Sequence, residues 1–389
     1  MRIFILNPST PEKLYPFSLL RNYAEFRIGL YTIVERYQFY LQSEIELIHD
    51  ISGLTTISEE IGLFINAKFV PEKLLLKEIA DLNNHHAILH GQEIIAIQLR
   101  VNEFKGFNSA TYSNILYDQK LTEIYPLENP SDLLRINNLF LNNDILDDCL
   151  TNPSDDLIKN NFIHGGGVLN VHPTAIMKNV FVNTDVGSVY VGKNCHIMEG
   201  ACLRGPVAVL DNAVVKMGAK IYGSTIIGKK CVVGGEIKSS IFFDYSNKAH
   251  DGYIGDSVIG SWCNLGAGTS CSNLKNNAGE IHIWNPLLQQ KISVGNKFGV
   301  IIGDHTRTAI NTSLNSGTVT GVCCNIVKAG FPPKYIPDFT WNVETGESYH
   351  KTKMLDDINS WMEMKNEKLE EKDKRLLLQH YHNRLNTNA

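Results

Sequence analysis

The chain has 389 residues, a formal charge of −5 and ordinary apolar and charged fractions, so two or three domains with a large core are expected. That balance, without a dense run of Lys or Arg, excludes a general nucleic-acid binder. MRIFILNPST carries no secretory leader pattern and no apolar run reaches about 18 residues, so a cytoplasmic protein with no membrane partner is expected.

Residues 1–150 read as a mixed α/β domain. Met1 to Leu6 is expected as a strand, Gly29 to Leu41 has helical apolar spacing, and Ile61 to Phe69 reads as another strand. Ala87 to Leu89 and Glu93 to Leu99, on either side of His90-Gly91, predict a hairpin. Residues 151–167 are expected as a linker, because Asn152 to Gly167 is polar and ends in three glycines.

From Val191 to Val233 an aliphatic residue recurs at every sixth position: Val191, Ile197, Leu203, Val209, Val215, Ile221, Ile227 and Val233. Four residues after each stands a second small or aliphatic side chain: Cys195, Ala201, Val207, Ala213, Ala219, Thr225, Cys231 and Ile237. A helix has a period near 3.6 and a strand a period of 2, so neither produces this pattern. A hexapeptide parallel β-helix does, because each six-residue unit is a short strand plus a turn and like side chains stack. This domain is expected over residues 168–330, with a small insertion near Thr184 to Ser188 and a phase break after Ser240. The repeat resumes at Ile254-Gly255, Ile259-Gly260 and Leu265-Gly266, leaves the prism as a loop from Lys275 to Lys291, and restarts at Val294-Gly295 and Val300. Glycines after the aliphatic position (Gly192, Gly228, Gly234) are expected at corners that need positive φ. Residues 331–389 are expected as an extended exit, forced by Pro332, Pro333 and Pro337, followed by a helical tail from about Met354. That tail packs across the prism or onto an oligomer partner.

The eight cysteines read as reduced, buried thiols rather than disulfides or metal ligands, since Cys195, Cys231 and Cys263 fall in the small-residue slot. His164-Gly165-Gly166-Gly167 resembles an esterase oxyanion loop, but no GxSxG elbow accompanies it. His85, His86 and His90 lack the partners a zinc site needs, and no metal site is expected.

The segment Glu236 to Asn273 contains GEIK (Gly235–Lys238), KAHDGYIGD (Lys248–Asp256) and, running on to Leu274, IGSWCNLGAGTSCSNL (Ile259–Leu274). It resembles, without gaps, the acetyltransferase half of the bifunctional N-acetylglucosamine-1-phosphate uridylyltransferase/glucosamine-1-phosphate acetyltransferase family. Archaeal and Bacteroidetes relatives, which join a sugar nucleotidyltransferase-like half to a left-handed β-helix, look closer still. Fainter similarity covers most of the chain. The resemblance implies a left-handed prism working as a homotrimer, with acetyl-CoA as acyl donor and an amino-sugar phosphate or nucleotide sugar as the other partner. It implies His250 as general base, the Ala267 N–H as oxyanion donor and Asn264 as a positioning amide. It also implies sugar or phosphate contacts from Lys220 (an arginine in the family), Lys238, Tyr253 and Asn273. A neutral imidazole near pH 7 can take the proton that an attacking amine must lose. Read without the resemblance, His250 and the lysines can be solvated side chains and the asparagines corner residues. The zinc carbonic anhydrases that share the β-helix need three converging histidines, and no such arrangement is evident among His164, His172, His196, His250, His282 and His305.

Glu12 to Gly29 resembles the opening of sugar nucleotidyltransferases, with Lys13 where the family has its arginine and Tyr23 where it has a phosphate-contacting lysine. The glycine-rich loop is replaced by Ser9-Thr10-Pro11-Glu12, and the Gly-Asp that supplies a magnesium ligand is replaced by Ala67-Lys68. Lys13, Arg21 and Arg27 are the weak nucleotide-binding candidates, with Arg27 and Asp81 as conceivable substitutes, and Mg²⁺ is implied only if this half is active. The expectation is a nucleotidyltransferase-like domain whose activity is weak or lost. A fully bifunctional enzyme and a non-catalytic nucleotide-sugar scaffold are the rival readings.

Overall fold

The computed structural model describes residues 2–48, 59–118, 123–148 and 155–386, so Met1 of the first expected strand and residues 151–154 of the expected linker lie outside the described residues. Its contacts divide the chain into two units, residues 1–14 with 21–132 and residues 15–20 with 133–389. The division thus falls at Asp132/Leu133, inside a helix, whereas the sequence suggested a boundary near residue 150.

The first unit is built on a six-stranded sheet in the order Ile45–Ile48, Arg2–Leu6, Ile61–Asn66, Glu93–Arg100, His86–His90, Leu116–Asp118. Arg2–Leu6 pairs parallel with both neighbours, and Ile61–Asn66 then pairs antiparallel with Glu93–Arg100. The apolar runs of these strands reflect burial on both faces. Phe4, Phe64 and Phe104 stack in sequence, with ring centroids 5.0 and 4.1 Å apart. The expected hairpin forms, with a register shift between Ile88 and Leu89. The strand expected over Ile61 to Phe69 stops at Asn66, and Phe69–Val70 instead pair with Tyr125–Pro126. Helix α1 (Ile33–Leu41) opens with a reciprocal cap between Thr32 and Glu35; α2 (Lys73–Ala80) follows Phe69–Val70.

The second unit is a parallel β-helix whose three faces are sheets of nine, eight and six strands among the described residues. The eight aliphatic positions from Val191 to Val233 are at most 1% exposed, and their eight companions from Cys195 to Ile237 are 0% exposed. Side-chain stacking follows register: Ile197 pairs with Val215, and Val215 with Val233. The insertion at 184–188 sits between Phe181–Asn183 and Val189–Val191, lengthening one corner. Two boundaries differ from expectation. Phe162–His164, inside the expected linker, already pairs with Phe181–Asn183, and Tyr335–Ile336 extends the nine-stranded face beyond Gly330.

The glycine expectation is corrected. Positive φ belongs instead to corner residues such as Asn194, Asn212, Lys230, Gly200 and Gly218. Gly192, Gly228 and Gly234 are needed for close approach: a Cβ on Gly228 would lie 2.6 Å from the Phe242 carbonyl oxygen of the next coil.

Besides the short α4 (Asp155–Lys159) inside the expected linker, helix α3 (Ser131–Asp147) was not anticipated. From Leu133 onward it belongs to the prism unit, where amide side chains bolt it to successive coils. Asn137 donates to the Ser224 carbonyl at 2.6 Å, and Asn142 accepts from the Ser188 N–H at 2.8 Å. The expected loop after Lys275 contains an antiparallel hairpin, His282–Asn285 with Gln290–Ser293. The tail forms α5 (Lys351–Glu363) and α6 (Glu371–Asn386), and packs onto its own prism through a cluster joining Val322 and Cys323 to Met354, Ile358, Met362 and Leu377. Six of the seven described cysteines are buried, but Cys202 is exposed, because it sits on an outward position of its strand.

Candidate active site

The chemistry-bearing residues gather where the six-residue phase breaks. Residues 249–252 turn the corner between Asn247–Lys248 in the eight-stranded face and Tyr253–Gly255 in the six-stranded face. Gly252 adopts φ +127, and a Cβ there would lie 2.2 Å from the Thr269 carbonyl oxygen, so the corner is held close to the next coil. His250 is exposed at its tip.

One coil on, Asn264 stands in register with Asn247, and the corner after it carries Gly266 and Ala267. Together with Val232, Ile310 and Trp361, the residues His250, Asn264 and Ala267 line one cavity of about 580 Å³. The Ala267 carbonyl accepts from the Asn311 N–H at 2.6 Å, while among the described residues no acceptor is paired with the Ala267 N–H. An imidazole, an amide side chain and a corner residue whose N–H has no acceptor among the described residues thus line one mostly apolar space.

Part of this wall was not found from sequence. Trp361 of α5, with Met364 and Lys365 just beyond it, lines the same cavity. Lys365 donates to the Lys230 carbonyl at 2.5 Å and to Asn247 Oδ1 at 2.9 Å, and its burial lowers its pKa. Glu367 adds an ion pair with Lys230 at 2.5 Å. Nothing in the local sequence says which distant coil a tail helix will cover.

A second cluster lies on the six-stranded face. Asn273 donates to the Tyr253 hydroxyl at 2.9 Å and to Asp256 Oδ2 at 2.5 Å. Lys238 lies 5.8 Å from the Tyr222 ring centroid, and the adjacent Lys297 ammonium pushes its pKa below the ordinary value. Burial raises Asp256 above the usual carboxylate range, although Asn273 and both lysines favour its charged form. Two ammonium groups side by side favour an anion between them. Lys297 was missed because it follows the hairpin excursion, outside any repeat. Lys220 is exposed and stands in register with Glu236, one strand before Tyr253.

In the first unit, Lys13 and Lys68, two of the positions that the resemblance singled out, meet in one charged cluster. Lys68, 5% exposed, contacts Glu93 and Glu128, both at 2.6 Å, and Lys13 contacts Glu128 at 2.5 Å. Tyr23 is buried, its N–H donates to Asn7 Oδ1 at 2.7 Å, and its pKa is raised chiefly by burial. These groups do not fit Mg²⁺: a lysine ammonium already neutralises the carboxylates. Among the described residues no three His, Cys, Asp or Glu side chains are placed to hold a metal. Arg27 is also engaged otherwise. It is 3% exposed and donates to the Leu30 carbonyl at 2.6 Å and to Glu35 at 3.0 Å. Arg21 lies 6.0 Å from the Phe26 ring centroid, and Asp81 is an exposed residue at the C-terminal end of α2.

Residues 3–147 match the family model described as sugar nucleotidyl transferase. Over 173 residues the chain is 30% identical to a bifunctional protein GlmU of Thermodesulfovibrio yellowstonii, covering 40% of this chain and 35% of that protein. It is 32% identical over 152 residues to a bifunctional sugar-1-phosphate nucleotidylyltransferase/acetyltransferase of Sulfurisphaera tokodaii, covering 34% and 37%. The match to GlmU of Wigglesworthia glossinidia brevipalpis, 27% identical, covers 57% and 49%. The chain therefore spans about a third to a half of the length of the curated relatives it matches. Among solved structures, the polysialic acid O-acetyltransferase OatWY aligns at 17% identity over 46% of this chain and 83% of that one, with a TM-score of 0.26, too low to carry an argument.

Proposed function

We propose that the prism is an acetyl-CoA-dependent N-acetyltransferase acting on an amino-sugar 1-phosphate. The observation that carries this reading is the single cavity lined by His250, Asn264 and Ala267, whose N–H has no acceptor among the described residues. As the amine attacks the thioester carbonyl, neutral His250 takes the nitrogen's proton and the carbonyl oxygen becomes an oxyanion. The Ala267 N–H donates to that oxygen in a space lined largely by apolar groups, where a fixed dipole counts for more than in water. Collapse expels the CoA thiolate, which regains a proton from the imidazolium. Asn264 orients the reacting groups. On the neighbouring face Lys238 and Lys297 hold the phosphate, Tyr253 and Asn273 the sugar, and Lys220 adds positive charge at the rim. Trp361, Met364 and Ile310 form an apolar wall for the acyl arm. By resemblance the working form is a cytoplasmic homotrimer with acyl-CoA between neighbouring prisms.

The test is release of free CoA thiol from acetyl-CoA with glucosamine-1-phosphate and galactosamine-1-phosphate, against glucose-1-phosphate as control. Turnover with at least one amino sugar and none with glucose-1-phosphate is expected. No turnover with either amino sugar would remove the reading, and equal stabilisation of the fold by acetyl-CoA and unrelated nucleotides would favour a binding scaffold instead.

The first unit, in this proposal, no longer transfers nucleotides, because Lys68, at the position that the resemblance gives to a magnesium-binding carboxylate, is paired with Glu93 and Glu128. No pyrophosphate release from UTP or dTTP with sugar 1-phosphates is expected. Mg²⁺-dependent pyrophosphate turnover would overturn this part alone.

A further inference from the structure

Lys248 is a lysine in the interior column of the prism. Its inward neighbours along the eight-stranded face are aliphatic: Ile197, Val215 and Val233, with Val233 in register with Lys248. Lys248 itself is 0% exposed. Its Nζ donates to the carbonyl oxygens of His250 at 2.5 Å and Asp251 at 2.8 Å, so its hydrogen-bond acceptors are backbone carbonyls rather than carboxylates. Desolvation pushes its pKa down to about 8, the signature of an ammonium kept in the core despite a cost. A buried cation in an aliphatic column is destabilising unless it satisfies groups that would otherwise be orphaned. Here those groups are two carbonyls of the corner that presents His250.

The surrounding backbone closes on the same corner from the neighbouring coils. A Cβ on Gly235 would lie 3.0 Å from the His250 oxygen, and one on Gly252 would lie 3.1 Å from Lys248 Nζ. The Asp251 carbonyl also accepts from the Gly268 N–H at 2.9 Å, next to Ala267. Lys248 therefore grips, from inside, the peptide units that link the base to the coil carrying the oxyanion donor.

We propose that Lys248 is a positioning residue for the acyl transfer, fixing the 249–252 corner so that His250 and Ala267 keep their mutual geometry. This rests on the functional reading above, but its first test does not. Lys248→Met keeps the length of the stem and removes the donors; Lys248→Gln restores one amide donor; Val215→Ala makes an apolar defect in the same column, away from the corner. Hydrogen exchange of the folded full-length chain is expected to rise at least tenfold in a peptide covering 249–252 in Lys248→Met, and to stay near wild type there in Val215→Ala. Unchanged exchange in Lys248→Met, or an equal rise in Val215→Ala, overturns the proposal whether or not the protein transfers acetyl groups.

In the CoA-release assay, kcat is expected to fall ten- to a hundredfold in Lys248→Met with KM within threefold of wild type, to recover partly in Lys248→Gln, and to be retained in Val215→Ala. A Lys248→Met variant that keeps kcat within twofold contradicts the positioning role. Absence of turnover in wild type sinks the functional reading and leaves the exchange result as the arbiter of this one.

Discussion

Lys248 and Lys68 are both lysines standing where the surrounding pattern asks for another residue, and each is explained by what its ammonium touches. Lys68 replaces a carboxylate and is neutralised by Glu93 and Glu128; Lys248 replaces an aliphatic side chain and holds two carbonyls. Asp338 is a third case. It accepts from the Val322 N–H at 2.8 Å and from the Tyr15 hydroxyl at 3.1 Å, yet burial pushes its pKa up to about 6. A folded-state value above the unfolded one means stability that is complete below the unfolded pKa near 4 and is lost as pH rises through about 6. The melting temperature of wild type relative to Asp338→Asn should therefore be more favourable at pH 5 than at pH 8. A difference independent of pH would show that Asp338 does not titrate in this range.

At the level of elements, Gly192, Gly228 and Gly234 serve the repeat by giving room rather than backbone freedom, whereas corner glycines such as Gly200 and Gly218 supply positive φ. Gly228→Ala would force a methyl to within 2.6 Å of the Phe242 carbonyl and 2.8 Å of the Asp244 N, so coils must separate. Gly218 has φ +69 but nothing within 4 Å of a Cβ. Denaturant unfolding should show Gly228→Ala losing about 3 kcal/mol or more and Gly218→Ala about 1–2 kcal/mol. The reverse order would contradict the packing argument. The hexad columns were fully legible, because burial of every sixth residue leaves a periodic trace. The reason for the glycines was not legible, since sequence shows that Gly is required but not whether space or φ requires it. Helix α3 escaped notice because Asn137 and Asn142 act on coils far along the chain, and the tail's role escaped because Trp361 reaches the His250 cavity only through tertiary packing. Lys248 was readable in principle, six residues after Phe242, but the phase break after Ser240 hid its slot.

For the whole molecule, the two units differ in kind. The first, where residues 3–147 match a sugar nucleotidyl transferase family model, joins Lys13 and Lys68 to Glu93 and Glu128 in one ion cluster. The second is a prism of stacked coils whose period is interrupted at several corners, one of which exposes His250 to a cavity shared with Asn264 and Ala267. His250, Asn264 and Ala267, which line one cavity, and Tyr253 and Asn273, which bond to each other, were named through the resemblance, whereas Lys297 was not, because the chain there returns from an excursion. The central claim is that His250 is the base of acetyl transfer. Comparing kcat/KM of wild type and His250→Ala for CoA release with an amino-sugar 1-phosphate tests it most directly. A loss of about 10²–10⁴-fold in a variant with unchanged melting temperature is the predicted result; a variant that retains the wild-type rate would contradict it.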